Sequence, residues 1–519
     1  MEKSLRHQIG QMIIAGFPSL EVDDQARRLV EEYQVGNFIL FARNMKYARQ
    51  TAALCDGLSR MTFEKLGVAP FISADQEGGM VSRITEGAAL FSGAMALSAG
   101  ADLQQARQVG KNCGQMLRSM GINVNFAPVL DVNIAPMNPI IGNRSYGDDP
   151  QRVADVGCAV MEGMVEGGVI ATLKHYPGHG NVAVDSHLDL PTNDTDPDLL
   201  ENTEFLPFKQ AFDRGAPAVM SCHIRFPKID PDLPATLSPA ILTDLLRKKQ
   251  GFKGLVFTDC MEMEAIQKGW GSAKGAVLAV LAGCDILCIS HHVEAVRAAC
   301  DAIYEAVQSG RIPRARIQET YDRIVAAKTR MGLTHRQEVR AQQAHELVYA
   351  PEKVELHKRL SRSSVTLISG DGSLVKNAKA PLFLSPVTKA STGVEDAEHN
   401  GLSFAYLASK ALGGSFMDID REPDQAQREQ ILQAAKDHDV VVLAVQNARF
   451  RPGMRNLIEE LGKLDCKLMV VLLAGPWDVS YMAPTDAVLC IYEYTPLSVA
   501  SAVDALKTGE YLGKLPVKL

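Results

Sequence analysis

At 519 residues the chain exceeds what one hydrophobic core usually serves, so two domains are expected. Its composition, 46% hydrophobic and 22% charged, is that of an ordinary globular protein and excludes a disordered or fibrous one. With 54 basic against 61 acidic residues and a net charge of -7, nothing provides an electrostatic footprint for nucleic acid or an anionic membrane; the expected partner is a small or neutral substrate.

The N-terminus, "MEKSLRHQIGQMIIAGFPSL", has a charged start and only "MIIAGF" as an apolar stretch, with no small-residue cleavage site after it, so no signal peptide is expected. No apolar run approaches the roughly 20 residues of a membrane span. Ten cysteines (Cys55, Cys113, Cys158, Cys222, Cys260, Cys284, Cys288, Cys300, Cys466, Cys490) form no CxxC pair and fall mostly in apolar runs. They are expected to be buried free thiols in a cytoplasmic protein.

Between residues 10 and 290, eight short apolar runs are bounded by Gly, Pro or polar residues: "QMIIAGF", "GNFILFA", "PFISADQ", "NVNFAPVLDVN", "VIATLKHYP", "AVMSCHI", "GLVFTDC" and "DILCIS". Helix-period segments such as "DDQARRLVEEY" and "DLQQARQVGKNCGQMLRSM" separate them, the alternation of a parallel sheet. Eight such units predict a (β/α)8 barrel over residues 1–335. A doubly wound open sheet has the same alternation. The placement of Asp75, Asp131, Lys174, His175, His223, Asp259 and His291 at or just past the C-terminal strand ends favours the barrel, whose active sites are built on that face.

Residues 336–359 read as a linker along the barrel surface. From 360 to 519, "SVTLIS", "PLFLSP", "DVVVLAV", "KLMVVLLAG" and "AVLCIYE" alternate with helical runs, predicting a smaller α/β sandwich domain.

Four motifs carry chemistry. "ISADQEGGMVSR" puts Asp75 at a strand tip, where a carboxylate can accept sugar hydroxyls, with Arg83 eight positions on; the two could equally cap a turn and pair with each other. "NFAPVLDVNIAPMNPIIGNRSYGDDP" places Arg144 in a loop, able to hold a substrate oxygen or to organise backbone carbonyls. "KHYPGHGNVAVDSH" gathers Lys174, His175, His179, Asp185 and His187 within fourteen residues. A metal site could use His175, His179 and His187 with an Asp from another strand, although "PGHG" breaks any helix that would align the first two. Alternatively Asp185 orients His187 as an acid/base dyad, with Lys174 and His175 binding substrate. "GLVFTDCMEMEAI" ends a strand with Asp259, placed to attack an acetal carbon; Glu262 and Glu264 are expected to begin the following helix.

These blocks resemble glycoside hydrolase family 3, in its β-N-acetylglucosaminidase branch. "KHYPGHGNVAVDSH" is similar to that branch's signature, and "DQEGGMVSR", "NFAPVLDVN", "NRSYG" and "FTDC" are similar to its other blocks in order, through roughly residues 7 to 335. Over the second domain the similarity rests on the α/β pattern and the closing "GKLPV". The resemblance implies retaining hydrolysis with Asp259 as nucleophile and His187, oriented by Asp185, as general acid/base. Substrate contacts would fall on Asp75, Arg83, Arg144, Lys174, His175 and His223, with no metal and no cofactor. It implies release of a non-reducing terminal β-linked N-acetylglucosamine from peptidoglycan or chitin fragments. Phosphate could replace water as the acceptor, because a neutral imidazole, unlike a carboxylate, would not repel it. One departure is Met80, where the "EGG" block is commonly followed by arginine.

Overall fold

The computed structural model describes residues 4–182, 190–390, 392, 394–395 and 401–519. Eight parallel strands close into a barrel, one from each apolar run: β1 (Ile13–Ala15), β2 (Asn37–Ile39), β3 (Phe71–Ala74), β6 (Val124–Asn125), β7 (Ile170–Tyr176), β8 (Ala218–Ser221), β9 (Leu255–Cys260) and β10 (Ile286–Ile289). A two-stranded hairpin, β4 (Gln76–Gly78) and β5 (Val81–Ser82), lies between β3 and β6 in sequence. Ile13 pairs with Leu287 across the β1–β10 seam, and that pairing rules out the open sheet. The strands are buried on both faces, since side chains pointing inward fill the barrel and those pointing outward meet the helices, so they read as continuous apolar runs.

Local chemistry sets the helix ends. Asp149 accepts the N–H of Arg152 and caps the helix Pro150–Glu166, with Pro150 in its first turn, where a missing N–H costs nothing. Asp102 and Gln105 form a reciprocal capping box on the helix Leu103–Ser119.

The second domain holds a six-stranded sheet in the order β11 (Thr366–Gly370), β16 (Ala487–Cys490), β15 (Lys467–Leu472), β14 (Val440–Val445), β12 (Pro381–Pro386), β13 (Ser415–Ile419). All neighbours are parallel except β11 and β16. Alternate residues of β14 enter two cores: Val441, Leu443 and Val445 face one, Val440, Val442 and Ala444 the other. The first of these cores includes Met95, Ala96 and Ala99 from the barrel-side helix Ala94–Gly100, so the sheet seals directly onto the barrel. The interval 336–359 contains the helix Ala341–Val348 and the start of the helix Pro351–Ser364. The latter passes so close to Gly100 that a Cβ there would lie 2.6 Å from the Ser364 nitrogen.

All ten cysteines are free thiols, buried except for the half-buried Cys260 and Cys466. Among the described residues, no helix is long and apolar enough to cross a membrane.

Candidate active site

The C-terminal strand ends open onto a cavity of about 560 Å³ lined by Asp75, Arg83, Arg144, Lys174, His175 and Asp259, six of the predicted site residues. Asp75 follows β3, Lys174 and His175 lie in β7, and Asp259 lies in β9, so the parallel barrel brings distant motifs to one face.

One residue that sequence reasoning passed over organises half of this wall. Glu77, in β4, receives both Nε (2.9 Å) and Nη2 (2.8 Å) of Arg144 in a bidentate pair, and its Oε1 also accepts from Lys174 Nζ at 2.6 Å. Lys174 Nζ donates as well to Asp75 Oδ1 at 2.7 Å, and Arg83 Nη2 reaches Asp75 Oδ2 at 3.4 Å. Burial alone would raise the Glu77 carboxyl, but Arg144 and Lys174 outweigh it and hold it below the usual carboxylate range. Burial likewise opposes the charge on Lys174 and Arg144, and the carboxylates reverse it, leaving both above their ordinary values. Glu77, Lys174 and Arg144 are therefore ionised near neutrality. Removing one partner from so buried a set costs about 3–5 kcal/mol, because the other charge is left uncompensated. Arg144 also donates to the Ile140 carbonyl at 3.3 Å, the loop-organising one of its two sequence readings. Arg83 pairs with Asp75 and also donates to the Val394 carbonyl of the second domain at 3.2 Å.

Asp131 is fully buried beneath the β7 tip. It accepts the backbone N–H groups of His175 (3.0 Å) and His179 (2.8 Å) and the His175 Nδ1 at 2.7 Å. With Nδ1 committed to a carboxylate, Nε2 is the nitrogen that His175 offers the cavity. Burial would raise the Asp131 carboxyl, yet the two histidines hold it below its ordinary value. His179 is pulled down to about 4, first by burial and then by His175, so it is neutral at pH 7.

His223 sits one layer back. Its Nδ1 meets Thr236 Oγ1 and its Nε2 meets the Cys260 carbonyl, both at 2.9 Å, and it is absent from the described residues lining the cavity. These bonds steady the β9 tip beside Asp259. Asp259 itself is half-buried, and its Oδ1 accepts the Cys260 N–H at 2.7 Å.

Glu262 does not begin the next helix, which runs Glu264–Gln267. It instead accepts the backbone N–H groups of Ser290 (2.6 Å), His291 (2.7 Å) and His292 (3.1 Å), capping the turn after β10. Val394 and Glu395 of the second domain also line the cavity. Asp185 and His187 lie outside the described residues. Among the described residues, no group of three His, Cys, Asp or Glu side chains is arranged to hold a metal ion, and His187, the third ligand of the metal reading, is not among them.

A closed parallel barrel whose strand tips converge on a cavity lined by charged side chains is the architecture on which barrel enzymes build sites for small polar substrates. The chain belongs to glycosyl hydrolase family 3: the description "Glycosyl hydrolase family 3 N terminal domain" matches residues 4–327. It is similar to "Beta-hexosaminidase A" of Pseudoalteromonas piscicida, 28% identical over 94% of this chain and 90% of that protein. A "Beta-hexosaminidase" of Alkalilimnicola ehrlichii is 34% identical over 55% of this chain and 82% of its own. Among solved structures, a glycoside hydrolase family 3 beta-N-acetylglucosaminidase from Paenibacillus sp. str. FPU-7 superposes with a TM-score of 0.93 at 36% identity, covering 100% of this chain and 99% of the other. The protein is a glycosidase.

Proposed function

We propose that this glycosidase is a retaining exo-β-N-acetylglucosaminidase that removes non-reducing terminal β-linked N-acetylglucosamine from small glycans such as peptidoglycan or chitin fragments. The observation that carries the reading is Asp259 at the β9 tip, in one cavity with the ionic wall of Asp75, Arg83, Arg144 and Lys174. Carboxylates accept sugar hydroxyls and the cations donate to sugar oxygens, so this wall is suited to a neutral, hydroxyl-rich ring. The names of the similar hexosaminidases support the choice of sugar.

In this reading an Asp259 carboxylate oxygen attacks the anomeric carbon as the bond to the leaving oxygen breaks, and His187 gives that oxygen its proton. His187, held by Asp185, then takes a proton from water, which displaces Asp259 and restores the starting configuration.

Turnover of an aryl β-N-acetylglucosaminide and of an unactivated N-acetylglucosamine disaccharide tests this in wild type, Asp259→Ala and His187→Ala, with and without phosphate and EDTA. Asp259→Ala is expected to lose at least about 10³-fold on both substrates, and His187→Ala to suffer mainly on the disaccharide. EDTA is expected to have no effect, and phosphate to leave free N-acetylglucosamine as the product. An active Asp259→Ala or an EDTA-sensitive wild type would overturn the mechanism; a sugar 1-phosphate product would make the enzyme a phosphorylase on the same residues.

A further inference from the structure

A buried carboxyl group of the second domain is seated against the barrel behind the sugar-binding wall. Just past β16, Tyr492 takes a φ of 64°, a left-handed conformation costing on the order of 1 kcal/mol or more, and the chain turns there toward the barrel. Glu493 follows, only 2% exposed. Its Oε2 accepts the N–H of Gly93 at 2.7 Å, and its Oε1 accepts from Thr495 Oγ1 at 3.2 Å. Among the described residues it has no ion-pair partner.

Gly93 lies against the tip of the β4–β5 hairpin. At Gly79, whose φ is +57°, a Cβ would stand 2.4 Å from Glu493 Oε2 and 2.9 Å from the Gly93 Cα. The next hairpin residue, Met80, is buried in a second-domain core with Val365, Tyr494 and Val499. The tip is therefore enclosed by the second domain, while one arm sets Glu77 behind the cavity wall, paired with Arg144 and Lys174, and Arg83, just beyond β5, enters the wall itself. A cavity of about 20 Å³ separates Glu493 from the back of that wall, and Glu77, Arg144 and Tyr146 are the titratable groups that share it. Glu77 and Arg144 are paired with each other, and Tyr146 is held protonated by burial.

We propose that Glu493 is a positioning residue: through Gly93 and Gly79 it fixes the hairpin that sets Glu77 and Arg83, and so couples the second domain to sugar binding. This rests on the reading of the Asp75, Glu77, Arg144 and Lys174 wall as the sugar site. Burial pushes the Glu493 carboxyl up to about 7, against the opposing hydrogen bonds from Gly93 and Thr495. Neutral, it fits the interface; as pH rises past 7 it ionises with no counter-charge among the described residues, and the hairpin loses its backing.

The test is kcat and KM of the full chain for an aryl β-N-acetylglucosaminide from pH 5.5 to 8.5, in wild type, Glu493→Gln, Glu493→Ala and Arg144→Ala, with thermal unfolding in parallel. Wild-type KM is expected to rise on the order of five-fold across pH 7. Glu493→Gln, a permanent mimic of the neutral acid, is expected to keep the low-pH KM and lose that rise, whereas Glu493→Ala raises KM at every pH. If Glu493→Ala fails to fold, Glu493→Gln still decides. A Glu493→Gln profile that rises like the wild type, while Arg144→Ala raises KM, overturns the positioning role and leaves the sugar site standing. An Arg144→Ala enzyme with unchanged KM overturns the sugar site itself, and this inference with it.

Discussion

His179 shows how burial writes a pH dependence into single residues of the β7 tip. Its folded value of about 4 lies below the 6.5 of an exposed imidazole, so unfolding takes up a proton between those limits and stability falls as pH falls from 6.5 to 4. A shift of that size corresponds to about 3 kcal/mol. Asp131, also held below its ordinary value, adds a loss of the same sign at still lower pH. Thermal unfolding of wild type from pH 7 to 4 is expected to show a falling Tm whose slope is distinctly shallower in His179→Gln; parallel slopes would rule this origin out. The place of Lys174 and His175 at the barrel mouth was legible in the sequence, because both fall at the C-terminal end of an apolar run. Glu77 was not, because "EGG" reads as turn chemistry, and only the fold reveals that Arg144 and Lys174 converge on it.

At the scale of elements, the sequence was clearest where strands are buried on both faces. Each of the eight barrel strands and β14 is an apolar run for that reason. β13 was missed because it is an edge strand, mostly exposed, and "SFMDI" has neither an apolar run nor clean alternation. Val394 and Glu395 were invisible as cavity residues, since no local pattern tells which loop of one domain reaches the mouth of another. Packing constrains the tip of the β4–β5 hairpin closely. Gly79→Ala would combine an unfavourable φ with a 2.4 Å contact to Glu493, and is expected to cost more than about 1 kcal/mol, read as a lowered Tm. An unchanged Tm would mean that the tip is free to move, contrary to the packing described.

Over the whole molecule, the core that contains Met95, Ala96 and Ala99 also contains Leu384, Leu443 and Leu472, so barrel and second domain share buried apolar surface. Met95 is fully buried there, and Met95→Ala is expected to lower stability by about 2–5 kcal/mol while the full chain still unfolds in one transition. A variant that unfolds in two steps would show that the halves are energetically separate. The free cysteines give this cooperativity a clock. Eight of the ten thiols are buried, scattered from Cys55 in the barrel to Cys490 in the second sheet, and burial suppresses formation of the thiolate that an electrophile needs. In the native enzyme, rapid alkylation should therefore be confined to the half-buried Cys466, with Cys260 in the cavity wall slower because burial pushes its thiol up to about 11. Labelling of the other eight would then record how often, and how much of, the chain opens, with no probe added to the sequence.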